Sequence, residues 1–472
     1  MIDTQAIRSK ILDLAIRGQL TEQLPEDGTA EKLYQQIQEE KAVLIKTGII
    51  KKEKQLPRIQ AEEVPFSLPE SWKWVYLGEL FQHNTGKALN ASDRQGQMLD
   101  YITTSNLYWD RFELDDLKQM PFTESEIEKC TVKKGDLLVC EGGDIGRSAI
   151  WPFDYDMRIQ NHIHRLRKYS DSICTEFYYY LLWFYKQTGR INGIGIGLQG
   201  FSSKRVHSLV VPFAPYSEAV RVVEKVKAAF SILDTIDTLQ AEYAENRVSL
   251  KSKLIEAAIQ GKLTEQLPED GTAEELYQQI QHEKQELVRA GKIKKDKPLP
   301  EITEGEIPFD IPDNWKMCRL GSVITLVSGT DYKPEEYNDE NRGTPYITGA
   351  SNLLPGGVLI NRWTETPRCI ANTGDVLLVC KGSGYGKVAM CDVEEAHIAR
   401  QIMAVKKSDL LNMRYILYFL TANFAYLKGK GQGLIPGVDR NSVLSMIFPL
   451  PPLKEQNRIV DKLDELTGLI EA

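Results

Sequence analysis

Between Ser217 and Gln260 the chain carries 44 residues without a proline or a glycine. Pro215 precedes this stretch and Gly261 follows it, as expected at a helix start and stop. Apolar residues fall at Val223, Val226, Phe230, Leu233, Ile236, Leu239, Tyr243, Leu250 and Leu254. Those steps of three, four and seven describe one face of a helix. At about 1.5 Å per residue the predicted rod is roughly 66 Å long. Its stripe needs a partner. The pattern offers Glu455–Ala472 continued by Ile2–Arg17, as an antiparallel coiled coil; the other arrangement is two helical hairpins, each packed on its own domain. Elsewhere short β-like runs alternate with Gly- and Asn-rich turns, and helices are predicted at Glu176–Tyr185, Ala273–Arg289 and Met413–Ala425.

These elements occur twice. LTEQLPEDGTAEKLYQQIQ (Leu20 to Gln38) returns as LTEQLPEDGTAEELYQQIQ (Leu263 to Gln281), differing only at Lys32 and Glu275. Each copy leads into PxxWKxxxLG (Pro69 to Gly78, Pro312 to Gly321). Further on, Gly135-Asp136 with Leu137–Cys140 answers Gly374-Asp375 with Val376–Cys380, which places Cys140 opposite Cys380. VPFAPYSEAVRVV (Val211 to Val223) answers FPLPPLKEQNRIV (Phe448 to Val460). A period near 240 residues is too long for a solenoid and marks tandem domains. The order is half helix, domain, whole helix, domain, half helix: a circularly permuted repeat. The expected segments are 1–70 (helical region and linker), 71–216 (first domain), 217–312 (long helix and linker), 313–453 (second domain) and 454–472 (closing helix). A near-identical copy beside a diverged one suggests one surface used twice on the same partner, and another used on two targets.

The net charge of −8 argues against a global attraction to nucleic acid. It is uneven. Residues 71–215 hold 17 basic and 17 acidic side chains, and 314–452 hold 15 and 12, so the acid lies on helices and linkers. DNA binding would then rest on locally focused bases or on basic partner subunits. No apolar run of about 18 residues and no signal-like N-terminus are found, so a cytoplasmic protein is expected. The seven cysteines form no CxxC pair and read as reduced packing residues.

Catalytic patterns are missing. GSGYGK (Gly382 to Lys387) fails the P-loop spacing, because Lys381 stands five residues before Gly386 and no Ser/Thr follows Lys387. With GGDIGR (Gly142 to Arg147) it is a glycine turn ending in a base, suited either to phosphate approach or to tight packing after a buried strand. Pro312-Asp313 with Asp331-x-Lys333 fits a PD…(D/E)xK nuclease loosely, but belongs to the repeated domain opening. His162 and His164 lack a third ligand at metal spacing. The lysine-rich linkers KKEKQLPRI (Lys51 to Ile59) and KIKKDKPLPEI (Lys292 to Ile302) read as solvated, with phosphate contact as the alternative.

The circular repeat, the LTEQLPEDG segment, the PxxWKxxxLG opening and LPPLKEQNRIV (Leu450 to Val460) together resemble the specificity subunit of Type I restriction–modification systems, over essentially the whole chain. The first copy departs from the last motif, keeping Glu218 and Arg221 but carrying Ala219 for Gln. The resemblance implies a mixed α/β fold with two target recognition domains joined by antiparallel coiled-coil helices. It implies a non-catalytic subunit that reads a bipartite double-stranded DNA site and docks two methyltransferase subunits and the endonuclease–translocase subunits. It further implies no cofactor of its own, the partners using S-adenosylmethionine, ATP and Mg. A methylation-only or phase-variable system, or a scaffold that binds no DNA, are the alternatives.

Base edges are read by Arg, Lys, Asn, Gln and Ser on loops. The candidates are Lys87, Arg94, Ser105, Asn106, Arg147, Gln199, Lys204 and Arg205 in the first domain. In the second they are Lys333, Arg342, Ser351, Asn352, Lys387, Lys430, Arg440 and Asn441. No catalytic or metal residues are expected.

Overall fold

The computed structural model describes residues 1–90, 95–191, 201–295, 297–382, 384–430 and 437–471, the last six of 384–430 by backbone only. The chain forms two compact units, Met1–Ala241 and Glu242–Ala472. The proline- and glycine-free stretch is one helix, Tyr216–Ile259, shifted by one residue at each end from expectation.

Each unit has the same mixed α/β plan. Its opening strand pairs antiparallel with its closing strand: Lys73–Tyr76 with Val210–Phe213, and Lys316–Arg319 with Ile447–Leu450. Between them lie two four-stranded sheets. One runs Phe81–Thr85, Ile163–Lys168, Leu137–Cys140, Ser148–Ile150, and in the second unit Leu326–Ser328, Ile402–Val405, Val376–Val379, Val388–Met390. These are antiparallel throughout. The other sheet contains a parallel pair, Tyr101 with Arg158 and Tyr346 with His397.

The central strands are buried on both faces, which their unbroken apolar runs require. Asp136 and Asp375 close the turn before them, accepting from Lys133 N (2.7 Å) and Asn372 N (2.8 Å). Each carboxylate also takes a base, Arg167 Nη2 from the neighbouring strand at 2.6 Å and Lys406 Nζ from just past it at 2.5 Å.

The register corrects the cysteine alignment. Ile163 faces Cys140, whereas the equivalent Ile402 faces Val379. Cys140 therefore matches Val379, and Cys380 matches Glu141. The second glycine turn is one residue longer, which absorbs the offset.

The terminal helices lie antiparallel to the long helix, each within its own unit. In the first, Thr4–Ile16 offers Thr4 to Asp237, and Arg8 to Asp234 and Asp237, both at 2.8 Å. In the second, Leu453–Glu471 meets Lys251 through Glu471 at 2.9 Å. The stripe is buried at Val223, Val226, Phe230 and Leu233, but Leu239, Tyr243 and Leu250 are exposed. Burial along the whole rod was expected; it holds only where a terminal helix or a domain covers the face.

Where the long helix begins, a carboxylate with no exposed surface is caged. Glu218 accepts from Trp72 Nε1 (2.8 Å), Gln23 Nε2 (2.7 Å) and Thr21 Oγ1 (3.4 Å). Glu455 accepts from Trp315 Nε1 (2.9 Å), Gln266 Nε2 (2.9 Å) and Thr264 Oγ1 (3.2 Å). One helical turn on, Arg221 and Arg458 grip Asp27 and Asp270 with two nitrogen–oxygen contacts each, at 2.6–2.8 Å. The three strongest sequence hallmarks thus meet at one buried group.

Candidate nucleic-acid interface

At one end of each antiparallel sheet, five chain segments are laced by backbone hydrogen bonds. The turn after strand Met157–Ile159 lies in the middle. Gln160 N donates to Ile102 O and Lys87 N to Ile159 O, both at 3.0 Å, while Glu141 N donates to His162 O at 2.8 Å and Phe201 N to Glu141 O at 2.9 Å. The second unit repeats these four bonds: Ala399 N to Ile347 O, Thr330 N to Ile398 O, Cys380 N to Gln401 O, and Val438 N to Cys380 O, at 2.8–3.0 Å. Only glycine permits the approach of the first segment. A side-chain carbon at Gly86 would stand 2.0 Å from Ile159 O, and one at Gly329 2.1 Å from Ala399 O.

Beside this platform the SNL loops are held by their own asparagines. Asn106 Oδ1 accepts from Thr103 N (2.9 Å) and Oγ1 (3.0 Å), and its Nδ2 donates to Glu113 O (2.9 Å). Asn352 does the same with Thr348 N (3.0 Å), Thr348 Oγ1 (2.9 Å) and Leu359 O (2.7 Å). The base ending each glycine turn ties to the same loop: Arg147 Nη2 donates to Thr104 O (2.5 Å) and Lys387 Nζ to Ala350 O (3.0 Å). Thr104 and Ala350 each stand two residues before the asparagine. The recurrence of the glycine turns thus has a structural cause, a staple between turn and loop.

Several candidates are held by partners within the fold. Asn106 and Asn352 are buried and spend their amides on backbone. Lys87 is buried, its amine donating to Pro121 O (2.7 Å) and Glu126 (2.8 Å). Arg440 Nη1 donates to Leu326 O at 2.5 Å. Arg147 and Lys387 are half-buried, and Arg205 lies over the Phe201 ring. Exposed candidates are Ser105, Lys204, Lys333, Arg342, Ser351 and Asn441. Arg342 pairs with Glu340 at 3.1 Å. Arg94, Gln199 and the Lys430 side chain lie outside the described residues.

The platform also exposes residues that are not among the base-contact candidates. His162 and Arg400-Gln401 are exposed and Asn161 half-exposed at the tip of the central turn, with Lys381 nearby in sequence to Cys380. Arg400, its side chain 71% exposed, is oriented by Asp331: its backbone N donates to Oδ1 at 3.0 Å and its Nε lies 3.3 Å from Oδ2. The pairing by hydrogen bonds, absent from the linear alignment, is the signal that finds them.

Beneath the first platform lies a histidine pair that the second does not carry at the same positions. His83 Nε2 is 2.9 Å from His164 Nδ1, and His164 Nε2 is 2.5 Å from Phe201 O. Burial pushes His83 down to about 3 and His164 to about 4, so both rings are neutral near pH 7. Leu326 and Met403 occupy the equivalent positions, as the strand registers show. Among the described residues no group of three or more His, Cys, Asp or Glu could hold a metal. No described helix is long and apolar enough to cross a membrane.

The chain is 28% identical to the Type I restriction enzyme EcoAI specificity subunit of Escherichia coli, over 98% of this chain and 88% of that one. It is 27% identical to the EcoEI specificity subunit of the same organism, over 97% and 88%. Among solved structures, the HsdS subunit from Thermoanaerobacter tengcongensis matches with a TM-score of 0.56 and 20% identity, covering 86% of this chain and 92% of that one. A chain from a study of complex assembly and conformational transition of the type I R-M system matches with a TM-score of 0.61, again at 20% identity, over 86% and 93%. Residues 69–247 and 312–472 each match the family described as Type I restriction modification DNA specificity domain, and the chain belongs to that family.

Proposed function

We propose that this chain is the DNA-reading specificity subunit of a Type I restriction–modification complex, with regions 71–216 and 313–453 each reading one half of a bipartite duplex site. The observation that carries it is the pair of platforms: four recurring backbone bonds under unlike exposed side chains. A shared function on different targets needs that combination. Sequence is then read by side chains on the loops, while affinity for the phosphates comes from local bases and from partner subunits. Three exposed arginines of the second domain are paired with acidic neighbours (Arg342 with Glu340, Arg368 with Glu336, Arg400 with Asp331), which supports a subunit that binds DNA weakly alone.

In this reading the subunit does no chemistry. Two methyltransferase subunits and the endonuclease–translocase subunits dock on the repeated helical regions and bring S-adenosylmethionine, ATP and Mg, in the cytoplasm. The test replaces residues 71–215 with those of a relative of different specificity, in the complex with methyltransferase subunits. Mapping methylated bases should show half of the recognised sequence changed and the other half kept. Change in both halves, or in neither, refutes the assignment.

A further inference from the structure

We infer that the tip of the central turn, Asn161-His162 in the first unit and Arg400-Gln401 in the second, carries the base contacts that set each half-site. The inference rests on the DNA-reading role proposed above and names the residues that perform it. These positions are equivalent by hydrogen bonding, since His162 O and Gln401 O accept the same bond from Glu141 N and Cys380 N. Neighbouring exposed positions on the SNL loops are serine in both units, Ser105 and Ser351, so they cannot tell two targets apart. The tip pairs differ completely, while four backbone bonds around them recur; a fifth, from Asn161 N to Lys87 O, gives way in the second unit to the bond from Arg400 N to Asp331 Oδ1.

Their chemistry suits base edges. Asparagine and glutamine can pair with adenine N6 and N7, and arginine with guanine O6 and N7, through two hydrogen bonds. The turn is closed by a backbone bond: Ile163 N returns to Gln160 O at 3.0 Å and Ile402 N to Ala399 O at 2.8 Å. Arg400 is further aimed by Asp331, which reduces the freedom it would lose on binding. Such a head can change its target by two side chains without repacking.

The experiment uses the full chain complexed with methyltransferase subunits and a duplex library randomised at the recognised positions. Arg400→Ala should lower discrimination at one base position by roughly 5- to 150-fold, the range expected for one bidentate contact. The rest of that half-site and the whole other half-site should stay unchanged. Asp331→Asn should weaken the same position to a smaller degree, and Asn161→Ala should relax one position in the opposite half. Uniform loss across all positions would show phosphate contact and overturn the inference, as would an unchanged motif in both Arg400→Ala and Asn161→Ala. If the unaltered complex shows no sequence preference, the DNA-reading role itself fails.

Discussion

The indole nitrogen of Trp72 donates to Glu218 Oε2 at 2.8 Å, and Trp315 repeats the bond to Glu455 at 2.9 Å. Both carboxylates are fully buried, and each tryptophan comes from the repeated opening of its domain. One bond thereby locks the domain to the start of a helix about 140 residues later in the chain.

Removing that donor leaves a buried carboxylate short of a partner. Trp72→Phe should lower the stability of the first unit by about 1.5–3 kcal/mol, the usual worth of a hydrogen bond to a charged group. The urea midpoint of the intact chain measures it. Glu218→Ala, which orphans three donors, should cost at least as much. An unchanged midpoint in both variants would show that the cage does not hold the domain.

The single mismatch in the repeat has its own consequence. In the second copy Thr272 and Glu275 form a reciprocal capping box, Glu275 N donating to Thr272 Oγ1 (3.3 Å) and Thr272 N to Glu275 (3.4 Å). In the first, Lys32 stands at that place and only the bond from Lys32 N to Thr29 remains, at 3.5 Å. Lys32→Glu should restore the second half of the box and complement the helix N-terminus, raising stability by about 0.5–1 kcal/mol. Thermal unfolding reads it. A lower midpoint would show that Lys32 has a role the box cannot replace.

The histidine pair gives the first unit a pH dependence that the second does not share at these positions. Burial is the main cause of both shifts; the second histidine, Arg165 and His207 add to the effect on His83. Depressed histidine values mean that the unfolded chain binds protons first. Their stabilisation is complete above about pH 6.5 and is lost as pH falls toward 4 and then 3. The loss approaches about 1.4 kcal/mol per pH unit for each histidine in that window. His83→Leu with His164→Met, the residues of the second unit, should flatten the stability of the first unit between pH 6.5 and 4. An unaltered pH profile would show that neither ring is the source.

Much of this was legible in the residues. The long helix, its boundaries within a residue, the second helix at Ala273–Arg289 and the doubling of the domain plan follow from periodicity and repetition. The direction of side chains did not. Thr21, Gln23 and Asp27 belong to the near-identical segment that suggests an outward surface, yet they point inward to Glu218 and Arg221. Part of the identity between copies thus preserves an internal lock. Among the loop candidates, Lys87 and Asn106 look like any exposed polar residue in the linear chain; only the folded neighbours show their amines and amides spent on carbonyls. The tip residues were missed for the opposite reason, since Asn161-His162 and Arg400-Gln401 share no identity and only matching backbone bonds show them to be equivalent.

The pairing of Lys73–Tyr76 with Val210–Phe213, and of Lys316–Arg319 with Ile447–Leu450, brings the two ends of each domain side by side. A domain so joined behaves as a cassette. Genetic crossovers in the flanking repeats can replace it whole, and any substitute that closes the same two-stranded clasp inherits an intact mounting. New specificities can then arise by recombination faster than by gradual mutation of a reading surface.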